Sequence, residues 1–260
     1  MSNKYVIYTS LTGAYDNLPQ YEVINPQFDY ICFSNDFPPN TQIGQWKIRP
    51  IPLKHNNPIH MSRYAKLLPH RVLPSYEWSI WLDANLKITD DRIYSIIKEC
   101  IIKQEPWNGI KHPKYDCIYD DALECLKLGK AKYKEIMPQI RYLNKANYPK
   151  HFGLFENNFI IRRHNNSQVK EICEKWWQIF ITFSPRDQLS LFYLFWINNF
   201  IPSLVLPPEL NTHNVSGIEF TNHPEPGFIK KIERKLRIWQ NKIFLKFTYN
   251  ERKQTFMCIS

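Results

Sequence analysis

The stretch EWSIWLDANL, residues 77–86, decides how the rest of this chain is interpreted. It is a short apolar and aromatic run that ends at Asp83, and a second oxygen-bearing side chain, Asn85, follows two positions later. A run of this length, bounded by polar residues, favours a buried strand. Alternate side chains of a strand point the same way, so Asp83 and Asn85 are predicted to face one ligand.

Runs typical of strands and helices alternate on both sides of this stretch. Strands are predicted at 5–10, 29–34, 46–51, 107–112 and 152–163, and helices at 58–73, 90–103, 119–129, 132–146, 169–183 and from Pro185 onward. This alternation predicts an α/β fold with a central sheet and helices on its faces. Ligands of such sheets bind beyond the carboxyl ends of strands, which is where Asp83 lies.

Length and composition restrict the class of protein. A chain of 260 residues with 43% hydrophobic content can bury one sizeable core. It has neither an apolar run of the roughly 20 residues that span a membrane nor the pattern of a signal peptide, so we expect a cytoplasmic protein. The six cysteines show no metal-ligand spacing and are predicted to be reduced core thiols.

Charge is concentrated at the end of the chain. Residues 228–260 carry a net +7 of the total +10. A nucleic-acid footprint over the whole surface is therefore not expected. We predict a main domain at 1–227 and a basic C-terminal segment at 228–260.

The pair Asp83 and Asn85 suits a site for a metal and a diphosphate. Hard divalent cations take carboxylate and amide oxygens and bridge to phosphate oxygens. The same spacing also occurs in turns and helix caps, so the pattern alone leaves both interpretations open.

Five motifs in chain order add a resemblance to a known family. They are YTSLTGAYD (8–16), YICFSND (30–36), the helix of Arg63 and Lys66 with LLPH (67–70), SIWLDANL (79–86) and RDQLS (186–190). Together they resemble a plant and bacterial glycosyltransferase-like family that was first catalogued as domain of unknown function 616.

The resemblance implies a GT-A fold, which is Rossmann-like, and a site for a sugar nucleotide with Mn²⁺ or Mg²⁺. The metal would be held by Asp83 and Asn85, where Asn85 replaces the second Asp of the family's motif. The first strand and its loop would hold the base and ribose through Thr9, Tyr15 and Asp16. An ordinary turn between strand and loop is the alternative for this segment.

Arg63 and Lys66 are predicted to bind the diphosphate. They lie three residues apart on the predicted helix 58–73, so their side chains share a face. The Arg63 guanidinium would make a bidentate contact with the diphosphate, and the Lys66 ammonium would act on it as a point charge. A solvated basic helix face is the alternative.

Three downstream residues are the predicted catalytic group. The segments around Glu156 and around Asp187 and Gln188 resemble the layout of retaining GT-A enzymes, in which such residues flank the donor sugar. A carboxylate at 187 is also favoured by the helix dipole alone. Glu156 lies in an otherwise apolar strand, where an unpaired carboxylate is costly.

A late histidine often completes the metal site of GT-A enzymes. His213 is the predicted ligand and His223 the second choice. A solvent-exposed loop histidine is the alternative for both.

The predicted function is transfer of a sugar from a nucleotide-diphosphate donor to a glycan or lipid-linked acceptor. We expect a role in bacterial surface polysaccharide synthesis, and the downstream layout favours retention. The alternatives are a nucleotide-sugar-binding protein without activity and a membrane-lipid hydrolase. The sequence lacks the G-x-S-x-G elbow, which argues against a serine hydrolase.

Residues 228–247 are predicted to form a basic amphipathic helix. Apolar residues three and four apart form one stripe, namely Ile229, Ile232, Leu236, Trp239, Ile243 and Phe247. The stripe and the surrounding lysines and arginines predict docking on the anionic inner face of a membrane. Packing of the stripe against the catalytic domain or a second subunit is the alternative.

Overall fold

The computed structural model describes residues 4–13, 17–221 and 227–247. The strands in these ranges are β1 (Tyr5–Leu11), β2 (Phe28–Ser34), β3 (Gln42–Ile43), β4 (Trp46–Arg49), β5 (Trp78–Leu82), β6 (Leu86–Ile88), β7 (Trp107–Lys111), β8 (Phe155–Arg162), β9 (Ser203–Leu204) and β10 (Ile218–Phe220). The helices are α1 (Pro58–Leu67), α2 (Pro69–Val72), α3 (Arg92–Ile102), α4 (Ile118–Lys127), α5 (Tyr133–Lys145), α6 (Ser167–Thr182), α7 (Gln188–Ile197) and α8 (Phe228–Phe247).

The main sheet has the strand order β3-β4-β2-β1-β5-β8-β7-β9. β1 pairs in parallel with both β2 and β5, whereas β8 runs antiparallel to β5 and β7. β6 and β10 form a separate antiparallel pair. The prediction of a mixed α/β fold with a central sheet flanked by helices is therefore confirmed. The short strands β3, β9 and β10 had no clear signal in the sequence.

The central strands are buried on both faces, which explains their composition. All five residues of β5 are buried, and six of the seven in β1. Strands covered on both sides are nearly continuous apolar runs, as the sequence of β5 shows. A polar side chain at the end of such a strand is therefore conspicuous, and Asp83 is one.

The chain forms two compact units. The first comprises the described residues of 1–113, 155–177 and 201–224, and it holds both sheets. The second comprises those of 114–154, 178–200 and 225–260, and it holds α4, α5, α7 and α8. The boundary between residues 227 and 228 stays a prediction, because these units follow contacts in space and each contains several segments.

The helix predicted at 58–73 is a pair of helices, α1 and α2. Leu68 separates them with φ −119° and ψ 52°, outside the helical region. Pro69 is the cause, because its ring disfavours a helical conformation of the preceding residue and it has no N–H to donate. The single helix was a wrong prediction at this position.

The basic C-terminal helix is confirmed as α8. It packs within the second unit through Asn241, whose side-chain amide donates to the carbonyls of Leu126 and Ala131, each at 2.9 Å. Its Oδ1 accepts from Tyr133 N at 2.9 Å. The predicted apolar stripe faces away from these contacts, and four of its members are exposed, namely Ile229, Ile232, Leu236 and Trp239. These four side chains therefore do not pack against the rest of the second unit, and the alternative of packing against the catalytic domain stays open. Nothing is described of the Phe247 side chain.

The state of the cysteines and the absence of a membrane-spanning helix were both predicted from the sequence. The five described cysteines, Cys32, Cys100, Cys117, Cys125 and Cys173, are buried free thiols. Of the helices in the described ranges, none has the length and apolar character required to cross a bilayer.

Candidate active site

Asp83 lies directly beyond the carboxyl end of β5, as predicted. Its backbone is fixed by hydrogen bonds from its N–H to Asn158 O and from Leu86 N to its carbonyl, both at 2.9 Å. Its Oδ1 accepts from Trp81 Nε1 at 2.6 Å and from Lys66 Nζ at 3.3 Å. The carboxylate remains 28% exposed, so it is held firmly and still reaches solvent.

Lys66 brings a buried positive charge to this carboxylate. Its side chain is 2% exposed, and its Nζ also lies 5.4 Å from the centre of a Trp81 ring. A buried ammonium group without a partner is costly, and Asp83 supplies the partner. The alternative of a solvated basic face is therefore wrong for Lys66.

Arg162 is a second buried cation on the same side of the sheet. It donates to Tyr8 Oη and to the carbonyl of Lys66 at 2.6 Å, and its guanidinium lies 5.0 Å from a Trp107 ring. Burial raises the pKa of Tyr8 to about 12, against the opposing effect of Arg162, so the phenol stays protonated as a hydrogen-bonding partner. Arg162 thereby ties α1, and with it Lys66, to the central strands.

Glu156 and Asn158 lie on β8 opposite the end of β5. The antiparallel register pairs Leu82 with Phe159, so β8 residues of alternate position share the side of Asp83. Glu156 Oε2 accepts from Thr212 Oγ1 at 2.8 Å and from Thr212 N at 3.2 Å. Asn158 Nδ2 donates to Thr212 Oγ1 at 2.8 Å. The partner predicted for the buried Glu156 is therefore Thr212.

The segment around His213 returns to the same edge. β10 pairs with β6 directly after Asn85, and Thr221 N donates to Asn85 O at 2.8 Å. His213 stacks on Phe220 with 4.3 Å between ring centres, and its Nε2 lies 3.8 Å from Glu156 Oε1. The imidazole is 62% exposed. The first unit thus brings together the regions of Asp83, Asn85, Glu156 and His213, although they are distant in sequence.

Other predicted residues are placed differently. Thr9 is buried in β1, and Arg63 contacts the side chain of Ser62 at 3.5 Å. Tyr15, Asp16 and His223 lie outside the described residues.

Asp187 and Gln188 belong to the second compact unit. Asp187 is buried at the start of α7, and Gln188 Oε1 accepts from Arg186 Nη2 at 2.9 Å. Burial would lower the pKa of Arg186, but the Cys125 thiol and the carboxyls of Asp187 and Asp121 keep it raised. Catalytic roles for Asp187 and Gln188 stay predictions.

The chemistry of the donor set fits a hard divalent cation. Asp83 offers a carboxylate, and Asn85 and Asn158 offer amide oxygens, which are the ligands that Mg²⁺ and Mn²⁺ prefer. Asn158 Oδ1 is buried and accepts no hydrogen bond from any described residue. Buried acceptors in folded proteins nearly always receive a hydrogen bond or bind a ligand. Asn158 Oδ1 therefore favours a bound ligand at the carboxyl end of β5.

Four residues of this site were not predicted from the sequence, namely Trp81, Asn158, Arg162 and Thr212. Asn158 had a usable signal, because it lies two residues after Glu156 in a predicted strand and must share its face. Arg162 and Thr212 had none, since their partners Tyr8 and Glu156 are distant in sequence.

The family of the chain follows from a match over residues 30–200 to the family described as TOD1/MUCI70, glycosyltransferase-like domain. The match covers well over half of the sequence. The chain belongs to this family. The glycosyltransferase-like family that the sequence motifs indicated is thereby confirmed.

One curated relative of this chain is the alkaline ceramidase TOD1 of Arabidopsis thaliana. The two are 23% identical over 187 residues, which is 66% of this chain and 40% of the plant protein. The chain therefore spans well under half the length of that relative.

Solved structures similar to this TOD1/MUCI70 chain include glycosyltransferases. Core-mannan synthase A from Aspergillus fumigatus, in its Mn/GDP form, is 11% identical with a TM-score of 0.41, covering 75% of this chain and 70% of its own. The bifunctional glycosyltransferase WbbM is 12% identical with a TM-score of 0.42, covering 90% and 44%. Because these scores are low, the assignment rests on the family match.

Proposed function

We propose that this protein is a GT-A glycosyltransferase that transfers a sugar from a nucleotide-diphosphate donor to a glycan or lipid-linked acceptor. The observation that carries the proposal is the Asp83 carboxylate with buried Lys66, at the carboxyl end of a central strand in a glycosyltransferase-like domain. Ligands of open α/β sheets bind at this edge.

Lys66 and Asp83 would position the diphosphate of the donor. Negative charge develops on the departing nucleoside diphosphate, and a fixed cation near it stabilises the transition state. Lys66 is held by Asp83 and, through its carbonyl, by Arg162, so little reorganisation is needed during transfer. Arg63 is proposed to add a second contact to the phosphate groups.

Asp83 and Asn85 would hold Mn²⁺ or Mg²⁺, with His213 as a third ligand. A divalent ion there supplies further charge neutralisation of the diphosphate. Glu156, fixed by Thr212 and 3.8 Å from His213, would orient the donor sugar. Asp187 and Gln188 are proposed as further catalytic residues because the segment around them resembles the layout of retaining GT-A enzymes. Thr9 is proposed to contribute to the nucleoside side of the site.

Turnover of a panel of UDP, GDP, CDP and ADP sugars, measured as released nucleoside diphosphate with and without Mn²⁺, tests the proposal. Asp83→Asn keeps an oxygen acceptor for Trp81 and Lys66 but removes the charge, so the fold should persist while activity falls by about 10²-fold or more. Asp90→Asn is the matched control, because Asp90 pairs with Arg92 on a different helix end. Full activity of Asp83→Asn, or no turnover of any donor by the parent protein, would contradict the assignment.

Hydrolysis of a membrane lipid is the rival activity, favoured by the name of the plant relative. Incubation of the full chain with ceramide, followed by measurement of released fatty acid, separates the two. Fatty-acid release that survives Asp83→Asn, without nucleotide release from any sugar nucleotide, would favour the hydrolase.

Association with an anionic membrane surface is proposed for α8, which would bring the enzyme to a lipid-linked acceptor. Trp239 is 62% exposed, and Leu236 and Ile232 lie beside it on the outward stripe. Lys235, Lys242 and Lys246 are exposed along one edge of that stripe. Apolar insertion combined with basic side chains favours a surface of anionic lipid. The bacterial inner membrane and a polysaccharide product are the proposed setting.

Sedimentation with vesicles containing phosphatidylglycerol tests this association. Replacing Trp239 and Leu236 together by serine should abolish sedimentation without unfolding, because both side chains are exposed. Ile102→Ser is the control, since this isoleucine is 77% exposed and belongs to α3 of the first unit, outside the stripe on α8. Deleting α8 is a poorer test, because deletion also removes the hydrogen bonds of Asn241. Unchanged sedimentation of the double variant would assign the stripe to another partner.

A further inference from the structure

A second group of side chains with ligand chemistry lies apart from the residues proposed for sugar transfer. Cys117, Asp120 and His151 bring a thiol, a carboxylate and an imidazole whose donor atoms all lie within 4.8 Å of one another. All three belong to the second compact unit. Within residues 4–13, 17–221 and 227–247, no other group of three His, Cys, Asp or Glu meets this condition.

We propose that Cys117, Asp120 and His151 bind one divalent transition-metal ion, with Zn²⁺ as the ion that suits the donor set best. Zn²⁺ takes sulfur, nitrogen and oxygen ligands at about 2.0–2.3 Å, so neighbouring donors of a tetrahedral site lie about 3.5 Å apart. Asp120 and His151 are exposed, and modest rotation of their side chains closes the remaining distance. A thiolate ligand disfavours Mg²⁺ and Ca²⁺.

Two hydrogen bonds hold the contributing segments together. Gly153 N donates to Asp116 O at 2.8 Å, and Tyr119 Oη donates to Tyr148 O at 2.8 Å. The segment that carries His151 is thereby attached on both sides to the start of α4. These two bonds therefore hold the three donors near one another before any ion binds.

Asp116 provides the outer partner that metal-binding histidines usually have. Its Oδ1 lies 2.7 Å from His151 Nδ1. When Nδ1 donates to this carboxylate, the tautomer leaves Nε2 available to an ion. Asp116 is thus a positioning residue, and three protein ligands leave a fourth position for water or another ligand.

Simpler explanations account for the residues one at a time. Asp120 lies in the first turn of α4, where the helix dipole favours a carboxylate, and the pair of His151 and Asp116 is exposed. Neither explanation accounts for the buried Cys117 thiol, which lies within 4.8 Å of the Asp120 carboxylate and of the His151 imidazole. Cys117 is the N-cap residue of α4, and its side chain makes no capping hydrogen bond to the described helix. Its position is therefore not explained by capping.

Titration of the reduced full chain with Co²⁺, followed by absorption, tests the site. A thiolate bound to Co²⁺ gives a charge-transfer band in the near ultraviolet, which should saturate at one equivalent and disappear when Zn²⁺ is added. Cys117→Ser should abolish the band. Cys125→Ser, a change to another buried cysteine on the same helix, should keep it. Asp83→Asn should also keep it, which separates this site from the one proposed for the donor.

Variants of the two exposed ligands, Asp120 and His151, still test the site if Cys117→Ser fails to fold. His151→Ala and Asp120→Ala should each weaken Co²⁺ binding by about tenfold or more, and Asp116→Asn should weaken it through the tautomer of His151. Absence of a thiolate band at one equivalent of Co²⁺ would overturn the proposal. Persistence of the band in Cys117→Ser, or its equal loss in Cys125→Ser, would do the same.

Discussion

Two basic residues of the first unit, Lys66 and Arg162, differ from those of α8 in what surrounds them. Lys66 and Arg162 are buried and held by side-chain and backbone partners, whereas Lys235 and Lys242 on α8 are exposed. A buried cation depends on a fixed partner, so one substitution has a large effect. Exposed cations near a charged surface act additively, and each contributes little. The total charge of the chain conceals this difference.

The largest effect is expected at Arg162. Arg162→Ala leaves Tyr8 Oη and the Lys66 carbonyl without their donor and opens a cavity beside Trp107, which should cost about 4 kcal/mol of unfolding free energy. Arg163→Ala is the matched control, because the neighbouring arginine is 44% exposed and forms a surface ion pair with Glu77. Its cost should stay within about 0.5 kcal/mol. Equal costs in urea unfolding would remove the distinction between buried and exposed cations.

Asp83 and Lys66 should show an asymmetry. Asp83→Ala leaves the buried ammonium without its carboxylate and should cost about 3 kcal/mol. Lys66→Met should cost less, because the remaining carboxylate is 28% exposed and can be hydrated. Urea unfolding of both variants and of the double variant measures the coupling. A greater loss in Lys66→Met than in Asp83→Ala would contradict the account of this pair.

Burial of His164 should make the stability of the folded chain depend on pH. Burial lowers its pKa from 6.5 to about 4, although its Nε2 lies 2.9 Å from Leu73 O. Below pH 6.5 the unfolded chain therefore binds a proton that the folded chain does not, so stability is lost as the pH falls toward about 4. The loss from this residue should reach about 2 kcal/mol near pH 5.

Urea unfolding across this pH range checks the effect. His164→Gln, which keeps a donor, should flatten the acid limb of the stability curve. An acid limb that is identical in His164→Gln and in the parent would show that this histidine is not the cause.

The smallest effects are expected on α8. Single changes of Lys235, Lys242 or Lys246 to glutamine should each weaken binding to anionic vesicles by about fivefold, the equivalent of about 1 kcal/mol. Their effects should multiply in the triple variant and fade at high salt. Loss of all binding on one substitution would indicate a fixed site, as at Lys66, in place of an additive surface.

Local sequence determined most of the elements and part of the site. Continuous apolar runs specified β1, β5 and β8, and the spacing of three and four specified α8, because burial on both faces or on one stripe imposes these patterns. Asp83 could be located because a carboxylate at the end of a buried strand is unusual. The family could be identified from five motifs in chain order, because each motif is a short contiguous stretch of sequence.

Tertiary structure decided which polar groups meet. The spacing of Lys66 suited either a phosphate contact or a solvated face, and only the packing of α1 on the sheet buried it against Asp83. Glu156 meets Thr212, and Cys117 meets His151, although more than thirty residues, including whole helices, separate the members of each pair along the chain. No local pattern encodes such pairs, because a buried polar group selects its partner by proximity in the folded chain. Hydrogen bonding and charge pairing then determine which of those encounters is stable.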